Sequence, residues 1–440
     1  MKLIVRIAAI FILLLAPGAA FAASPVYTAV VDAGSGGTRL SLYEVKPGPY
    51  PAIKLMFQEE FDGWTGEGFD PDDGLDNYAC YKGSDPAAKA FYAAKNVNPN
   101  VMTPLWSAMK VQLDAITPAV SAENVIVKVY ATAGMRTALE NCGAKAVNRL
   151  YAIIKDGMAS AGLSNKKNEV RTIDGGSEEG LWSLISANDV YRNAFDRPNH
   201  PKKRQAPVGI LEVGGSSVQV AYPVSQASSD PRLFRININS RKMAALSVSY
   251  LHLGQTDMRK ALRDYKNSSN QRIAYKCWAN GFDKSFDQGD EGHAKLTRNG
   301  AFNPNDPDCR DFMRGYLKQF MGKPIDLSQA NVNFVGIGGL KYTLDAFGLL
   351  VGPYAGTNNL TTTVNARCAA DASTWPDINT DSFVQYFCPH GAYMSALLND
   401  AKFGVFRQRP SQFDRALVSS DTDGEKISWV HGYLLLTYSR

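Results

Sequence analysis

The stretch DAGSGGTRL at residues 32–40 decides the fold, because the similar stretch EVGGSSVQV lies at residues 212–220. Each stretch has a carboxylate at the end of an apolar strand, then a turn of small residues, then a second strand with alternating apolar positions. A unit that occurs twice predicts two similar α/β halves that face each other, each contributing one turn to a cleft between them.

The rest of the chain supplies further elements for two such halves. Around the two turns we predict strands at 26–32, 38–45, 207–212 and 218–224. Other predicted elements are strands at 125–130, 233–238 and 333–337 and helices at 145–161, 178–191 and 256–265. A turn-rich segment at 280–308 is typical of a surface insertion, and an apolar segment at 429–436 closes the fold.

The composition is that of a folded globular protein. The chain has 440 residues, which at about 150 residues per domain predicts two or three domains. Hydrophobic residues make up 45% and charged residues 20%, so disordered, collagen-like and coiled-coil classes have no support. A formal net charge of +5 is too small for a nucleic-acid-binding surface, and we predict no nucleic-acid partner.

Residues 1–22 have the three parts of a secretory signal peptide. Lys2 and Arg6 precede an apolar run at 7–16, and AFA at 20–22 places small residues around a cleavage site. An uncleaved anchor is the alternative, but a bilayer span needs about 20 apolar residues. We therefore expect cleavage near Ala22, a secreted or periplasmic protein, and no membrane span in the mature chain.

The six cysteines predict disulfides. An exported chain with an even number of cysteines and no C-x-x-C spacing favours structural disulfides over a zinc or redox site. Pairing of sequence neighbours would join Cys277 with Cys309 and Cys368 with Cys388, and would leave Cys80 with Cys142. Six cysteines allow about 15 connectivities, and free buried thiols are the alternative.

The two turns are candidate phosphate sites. A turn of glycine and serine at a strand end directs backbone amides and hydroxyls into one concavity, which suits phosphate oxygens. A single turn of this kind is more often an ordinary hairpin, but two matched turns behind carboxylates favour a site. We predict phosphate binding by the turn at 34–37 and by Gly214, Gly215 and Ser216 in the second turn.

The carboxylates beside the turns imply a metal ion. Asp32 and Glu212 would lie next to the phosphates, where two unneutralised acids would repel the ligand. A hard cation with oxygen ligands, Mg²⁺ or Ca²⁺, is therefore predicted between them, in direct or water-mediated contact.

A carboxylate for water activation is expected at the start of the helix at 178–191. Hydrolysis of a phosphoanhydride needs a base that orients and deprotonates water, and we assign this role to Glu178, with Ser217 positioning the water. Glu179 is interpreted as an acid that stabilises the helix start by complementing the helix dipole. The same structural role is the alternative interpretation of Glu178.

Other nucleotide and metal enzymes are disfavoured. The sequence has no Walker A pattern and no G-x-G-x-x-G after a strand, which argues against P-loop and Rossmann proteins. Its five histidines show no H-E-x-x-H spacing, so a zinc hydrolase has no support.

Five segments, in order, resemble the characteristic regions of the apyrase, or nucleoside triphosphate diphosphohydrolase, family. They are DAGSGGTR at 32–39, ATAGMR at 131–136, EEG at 178–180 with Asn188, GGSSVQ at 214–219 and GGLKY at 338–342. SWVHGY at 428–433 resembles the last motif of the family, so the resemblance spans residues 28–435.

The resemblance implies an actin-like α/β fold of two RNase H-like lobes facing a central cleft. Lobe I would comprise residues 23–174 plus about 405–440, and lobe II residues 175–404. It implies hydrolysis of nucleoside tri- and diphosphates, with Glu178 as base, Ser217 orienting water and Gln219 near the hydration shell of the metal. The other residues it assigns are Ser35, Gly36, Gly37 and Thr132 to phosphates, and Tyr342 to stacking on the base.

Three positions depart from the family pattern. Glu212 replaces the usual Asp, Gly36-Gly37 replaces a Ser-His or Ser-Gly pair, and Lys341 replaces an aromatic residue. Metal preference and the discrimination of tri- from diphosphates are therefore left open, and we expect broad use of nucleotide bases. The alternatives are an exopolyphosphatase-like hydrolase and a catalytically inactive nucleotide-binding module, the second disfavoured by the presence of Glu178.

Overall fold

The structure is a computed structural model. It describes residues 24–61, 74–82, 86–225, 230, 232–281, 300–350, 358–375 and 386–439. The predicted signal peptide at 1–22 and most of the predicted insertion at 280–308 lie outside these residues. None of the described helices is long and apolar enough to cross a membrane.

The described strands form two sheets with the same core topology. The first sheet has the order β3-β2-β1-β4-β5 and the second β11-β10-β6-β7-β9-β8. Their bounds are β1 Val26–Gly34, β2 Gly37–Lys46, β3 Ala52–Phe61, β4 Ile126–Ala131, β5 Glu169–Thr172, β6 Gly209–Val213, β7 Ser217–Val224, β8 Phe234–Ile238, β9 Arg241–Leu251, β10 Phe334–Gly338 and β11 Phe413–Ala416. In each sheet three antiparallel strands are followed by two that run parallel to the first, so β6, β7, β9, β10 and β11 repeat β1 to β5.

The register confirms that the chain is duplicated. Asp32 pairs with Arg39 across the first hairpin, and Glu212 pairs with Gln219 across the second. These are the positions that the two sequence stretches place in correspondence. The predicted strands of both hairpins are confirmed, with ends that differ by about two residues at most.

The described helices lie around and between the sheets. They are α1 Asp76–Cys80, α2 Pro86–Phe91, α3 Thr103–Asp114, α4 Ala133–Ser160, α5 Leu181–Val190, α6 Gln255–Asp264, α7 Pro307–Met321, α8 Gly339–Ala346, α9 Asn358–Ala369, α10 Phe387–Asn399 and α11 Trp429–Tyr438. Every residue of α5 is buried, as expected for a helix covered on all sides. Its side chains and those of α11 pack between the two sheets, in one core with Val30 of β1 and Ile210 of β6.

The chain end returns to the first sheet. Gly48 N donates to Tyr438 O (3.3 Å), and Thr28 Oγ1 lies 2.7 Å from the Tyr438 hydroxyl. A Cβ atom on Gly432 would lie 1.9 Å from Trp182 O, so α11 can approach α5 this closely only with glycine there. β11, however, pairs with β10 in the second sheet, whereas the prediction assigned everything from about 405 to lobe I. We therefore propose that the chain re-enters lobe I after β11.

All six cysteines are paired. The disulfides are Cys80–Cys142, Cys277–Cys309 and Cys368–Cys388, with Cα–Cα distances of 5.8, 5.3 and 5.8 Å. The predicted pairing is confirmed. The first bridge joins α1 to α4 beside the cleft, and the other two lie in the second lobe.

Candidate active site

The two duplicated turns lie against each other in the cleft. A Cβ atom on Gly215 would lie 2.6 Å from Ser35 Oγ, so glycine permits this close approach. Behind the second turn, the amides of Gln255 and Thr256 at the start of α6 donate to Gly214 O (3.0 Å) and Gly215 O (2.8 Å). Because the helix engages these carbonyl oxygens, fewer are left to repel an anion bound at the turn.

Each turn also has the start of a helix beside it. α4 begins after Thr132, whose amide donates to Ala33 O (3.1 Å) next to the first turn. α8 begins after Gly338, whose φ is +68° and whose Cβ would lie 2.6 Å from Val213 O next to the second turn. Helix N-termini stabilise anions through unpaired amides and a partial positive charge. The predicted phosphate-binding residues of both turns, together with Thr132, thus share one end of the two sheets.

A hydrogen-bonded cluster of four side chains lies beside the second turn. Arg136 Nη2 donates to Glu179 Oε2 (2.7 Å) and to Ser217 Oγ (3.2 Å). Gln219 Nε2 donates to the same two oxygens, at 3.1 Å from Glu179 and 2.6 Å from Ser217. Burial raises the pKa of Glu179, which is 8% exposed, against the charge of Arg136. The structure therefore brings the predicted Ser217 and Gln219 together, with Glu179 as their carboxylate.

Glu178 does not reach this cluster. Its carboxylate accepts two hydrogen bonds from Arg171 (2.7 and 2.6 Å) and one from the amide of Asp174 (2.8 Å). Residues 175–180 form a π-helical turn, in which consecutive side chains point in different directions. Glu178 therefore faces β5 and Glu179 faces the cleft, the opposite of the predicted arrangement.

Two functional candidates were missed from the sequence, Glu179 as the cleft carboxylate and Arg136 as its partner. The sequence feature that could have indicated Glu179 is the glycine that follows it. A Cβ atom on Gly180 would lie 2.7 Å from Ser247 Oγ and 3.2 Å from Gln219 Cβ. This close approach fixes the π-helical turn on the second sheet. Arg136 lies within the quoted ATAGMR segment, but an arginine in a first helical turn gives no chemical signal by itself.

Asp32 and Glu212 form an acidic pair at equivalent strand ends. Burial, with the nearby charge of Glu179, raises the pKa of Asp32 to about 7, although Arg39 opposes the shift. Burial and Glu179 likewise raise the pKa of Glu212 to about 8. Glu212 Oε2 is buried without a hydrogen-bond partner. Within the described ranges, no three His, Cys, Asp or Glu side chains are grouped to hold a metal, so these two would supply only part of a coordination shell.

Tyr342 lies at the rim of the cleft. Its side chain is 69% exposed, and Lys341 Nζ lies 5.3 Å from the centre of its ring. Across the cleft, Arg39 is paired with Glu60 (2.6 Å). An exposed aromatic face of this kind is available to stack on a planar ligand.

The sequence profile of the GDA1/CD39 (nucleoside phosphatase) family matches residues 20–440. The chain belongs to this family. The predicted membership of the apyrase family is thereby confirmed.

Similar proteins fit the GDA1/CD39 assignment. Nucleoside-triphosphatase ntp-1 of Caenorhabditis elegans is 26% identical over 253 residues, which cover 55% of this chain and 40% of that protein. The nucleoside-triphosphatase of Pisum sativum is 24% identical over 307 residues, 66% of this chain and 58% of that protein. The chain thus spans about half the length of these curated relatives.

A solved structure shares the fold of this GDA1/CD39 chain. The crystal structure of nucleoside triphosphate hydrolases from Neospora caninum is similar over 94% of this chain and 93% of that chain, with a TM-score of 0.55 and 15% identity. At this identity the likeness shows the fold alone. With the repeated sheets, it confirms the predicted α/β fold of two actin-type lobes.

Proposed function

We propose that the chain hydrolyses the terminal phosphoanhydride of nucleoside tri- and diphosphates, with Glu179 as the general base. The observation that carries the proposal is the cluster of Glu179, Arg136, Ser217 and Gln219 beside two facing turns. The cluster offers a buried carboxylate, a hydroxyl and an amide at one point of the cleft. The turns and helix starts offer amide groups for phosphates at the same point.

Phosphate binding is assigned to the residues that line the turns. Backbone amides at Gly36 and Gly37 and at Gly214 and Gly215, the hydroxyls of Ser35 and Ser216, and the helix start at Thr132 would hold phosphate oxygens. Glycine is needed at 215 because any larger residue would meet the first turn. These residues bind and orient the substrate, so their loss should weaken nucleotide binding first.

Asp32 and Glu212 fit a hard divalent cation, Mg²⁺ or Ca²⁺. Two buried carboxylates with raised pKa values, one with an oxygen that has no partner, are what a nearby cation would neutralise. They would hold it directly or through water, and Gln219 would face its hydration shell with its carbonyl oxygen. When bound, the cation would offset the negative charge of the phosphates.

Water activation is assigned to Glu179 instead of Glu178. The water oxygen attacks the terminal phosphorus, its proton passes to Glu179, and the bond from phosphorus to the leaving nucleotide oxygen breaks. Arg136 keeps the Glu179 carboxylate oriented and charged before the proton arrives, and Ser217 holds the water. Glu178 would instead stabilise the helix start by pairing with Arg171.

Base binding is assigned to Tyr342. Stacking on an exposed ring tolerates every base, which supports broad nucleotide use, and the presence of a stacking site favours nucleotides over polyphosphate.

Export is part of the proposal. Three disulfides fit an oxidising compartment, so we assign the protein to the periplasm or the medium after cleavage near Ala22. N-terminal sequencing of the exported protein tests this assignment, and a retained Met1 would contradict it.

The test of the function is phosphate release from ATP, ADP and inorganic polyphosphate, with Mg²⁺, with Ca²⁺ and in EDTA. We expect release from both nucleotides with metal and none in EDTA, because the cation that offsets the negative charge of the phosphates is then absent. Faster release from polyphosphate would favour the exopolyphosphatase alternative, and nucleotide binding without release would favour the inactive module. Full activity in EDTA would overturn the metal assignment.

A further inference from the structure

A hydrogen-bonded network of three titratable side chains, Glu140, His252 and Asp257, joins the two lobes beside the second turn. His252 follows β9, and its Nε2 lies 2.7 Å from Glu140 Oε2 on α4 of the first lobe. Its Nδ1 lies 3.1 Å from Asp257 Oδ2 at the start of α6. The other oxygen of Asp257 accepts a hydrogen bond from Ser216 Oγ (3.0 Å). The network therefore runs from the first lobe, through His252, to the second turn.

The backbone fixes His252 in this place. Its φ is +67°, a left-handed conformation that few residues other than glycine adopt. Its amide donates to Ser216 O (2.7 Å), and its carbonyl oxygen accepts from the Tyr316 hydroxyl. The imidazole is thus held between the lobes by main-chain contacts that do not depend on its charge.

The two ring nitrogens both face carboxylates. A neutral imidazole has one N–H and can donate to Glu140 or to Asp257, whereas an imidazolium donates to both. Hydrogen bonding to Asp257 and to Glu140 raises the pKa of His252 above its ordinary 6.5, against partial burial. His252 also borders a cavity of about 280 Å³ between the lobes, whose other charged lining groups are Asp76, Asp257, Lys82 and Lys260.

We propose that His252 is a positioning residue: its hydrogen bonds to Glu140 and Asp257 tie the two lobes together, and through Asp257 they hold Ser216 in place. This tie between the lobes weakens when the imidazole loses its proton. The inference rests on the proposed function, because it treats Ser216 as part of a phosphate-binding turn. Since the pKa of His252 is raised, the tie is complete below about pH 6.5 and is lost as the pH rises through the raised value. The KM for nucleotide should rise over that range, and kcat should change less.

The experiment compares Glu140→Gln with wild type. Glu140 has an exposed side chain outside the catalytic cluster, and Asp156→Asn, an exposed acid farther along α4, is the matched control. At pH 6 we expect the KM for ATP to rise about two- to fivefold in Glu140→Gln, the effect of losing a partly exposed ion pair, with kcat within about twofold. The KM values of wild type and Glu140→Gln should converge at high pH, and Asp156→Asn should match wild type throughout.

A second variant and a second readout keep the proposal testable. His252→Asn removes the imidazole but retains a residue that tolerates the left-handed backbone, and its KM should change less between pH 6 and pH 8 than that of wild type. An NMR titration of His252 should show a lower pKa in Glu140→Gln than in wild type. Equal KM values at pH 6, or an unshifted titration, would overturn the tie. If wild type hydrolyses no nucleotide, the proposed function fails, and the titration still decides whether the tie exists.

Discussion

The two hairpins have the same backbone frame but different chemistry at equivalent positions. Asp32 faces Arg39 in the first and Glu212 faces Gln219 in the second. Arg39 turns to Glu60 on the edge strand β3 (2.6 Å), whereas Gln219 turns inward to Ser217 (2.6 Å). Duplication thus explains where the candidate side chains lie. In the proposed function, the side chains of the first half bind the substrate and metal, and those of the second half also position water.

Among the comparisons between the two halves, the largest effect should separate these equivalent positions. Gln219→Ala removes one donor to both Glu179 and Ser217, so we expect kcat to fall by about 10² with a small change in KM. Arg39→Ala at the matching position should raise KM by a few-fold and leave kcat near wild type. Steady-state kinetics with ATP checks both. Equal losses of kcat would show that the two halves do not divide the chemistry as described.

The two helix starts offer a second comparison. Arg136 is the fourth residue of α4 and reaches Glu179, while Tyr342, the fourth residue of α8, stays exposed at the rim. Tyr342→Ala should raise the KM for ATP about fivefold or more, because stacking of a base on an aromatic ring contributes about 1–3 kcal/mol. Tyr342→Phe keeps the ring and should resemble wild type. A loss of kcat with unchanged KM in Tyr342→Ala would rule out the stacking role.

The last comparison concerns stability and tests the acidic pair. Without metal, the raised pKa values of Asp32 (about 7) and Glu212 (about 8) mean that the folded protein holds protons which the unfolded chain releases. Stability in EDTA should therefore be highest below about pH 4 for these two groups and fall as the pH rises through 7 to 8. Melting temperatures should show Mg²⁺ stabilising the protein more at pH 8 than at pH 5.5.

Glu212→Gln is the control for that titration. It removes one of the two charges, so the melting temperature in EDTA should fall less between pH 5.5 and pH 8 than in wild type. A melting temperature in EDTA that rises with pH over this range in the wild type would contradict the raised pKa values.

Much of the fold could be predicted because it depends on local patterns. The hairpins alternate apolar residues and end in glycine turns, and the cysteines pair with their neighbours in sequence. β3 was missed because it is an edge strand in which no residue is fully buried. α4 begins at Ala133, well before the predicted start at 145. The first turns were missed because Gly134 and Gly143, the latter at φ +78°, interrupt the helical pattern of the sequence.

The site was predicted less completely, because its geometry depends on the direction in which individual side chains point. Composition and order identify two adjacent acids at 178 and 179 but do not show which one faces the cleft. The π-helical turn decides that, and it forms because Gly180 packs against Ser247 and the side chain of Gln219 on the second sheet. The interlobe contact of His252 was likewise missed, since it joins residues that are 112 positions apart.

The role of Glu179 is tested most directly by turnover of Glu179→Gln beside Glu178→Gln, with ATP and saturating Mg²⁺. The first variant keeps the shape but removes the base, so kcat should fall by about 10² to 10⁴, while ATP affinity by calorimetry stays close to wild type. The second should keep near-native kcat and lose some stability, because it weakens the pair with Arg171. Near-native turnover of Glu179→Gln with an inactive Glu178→Gln would contradict the assignment.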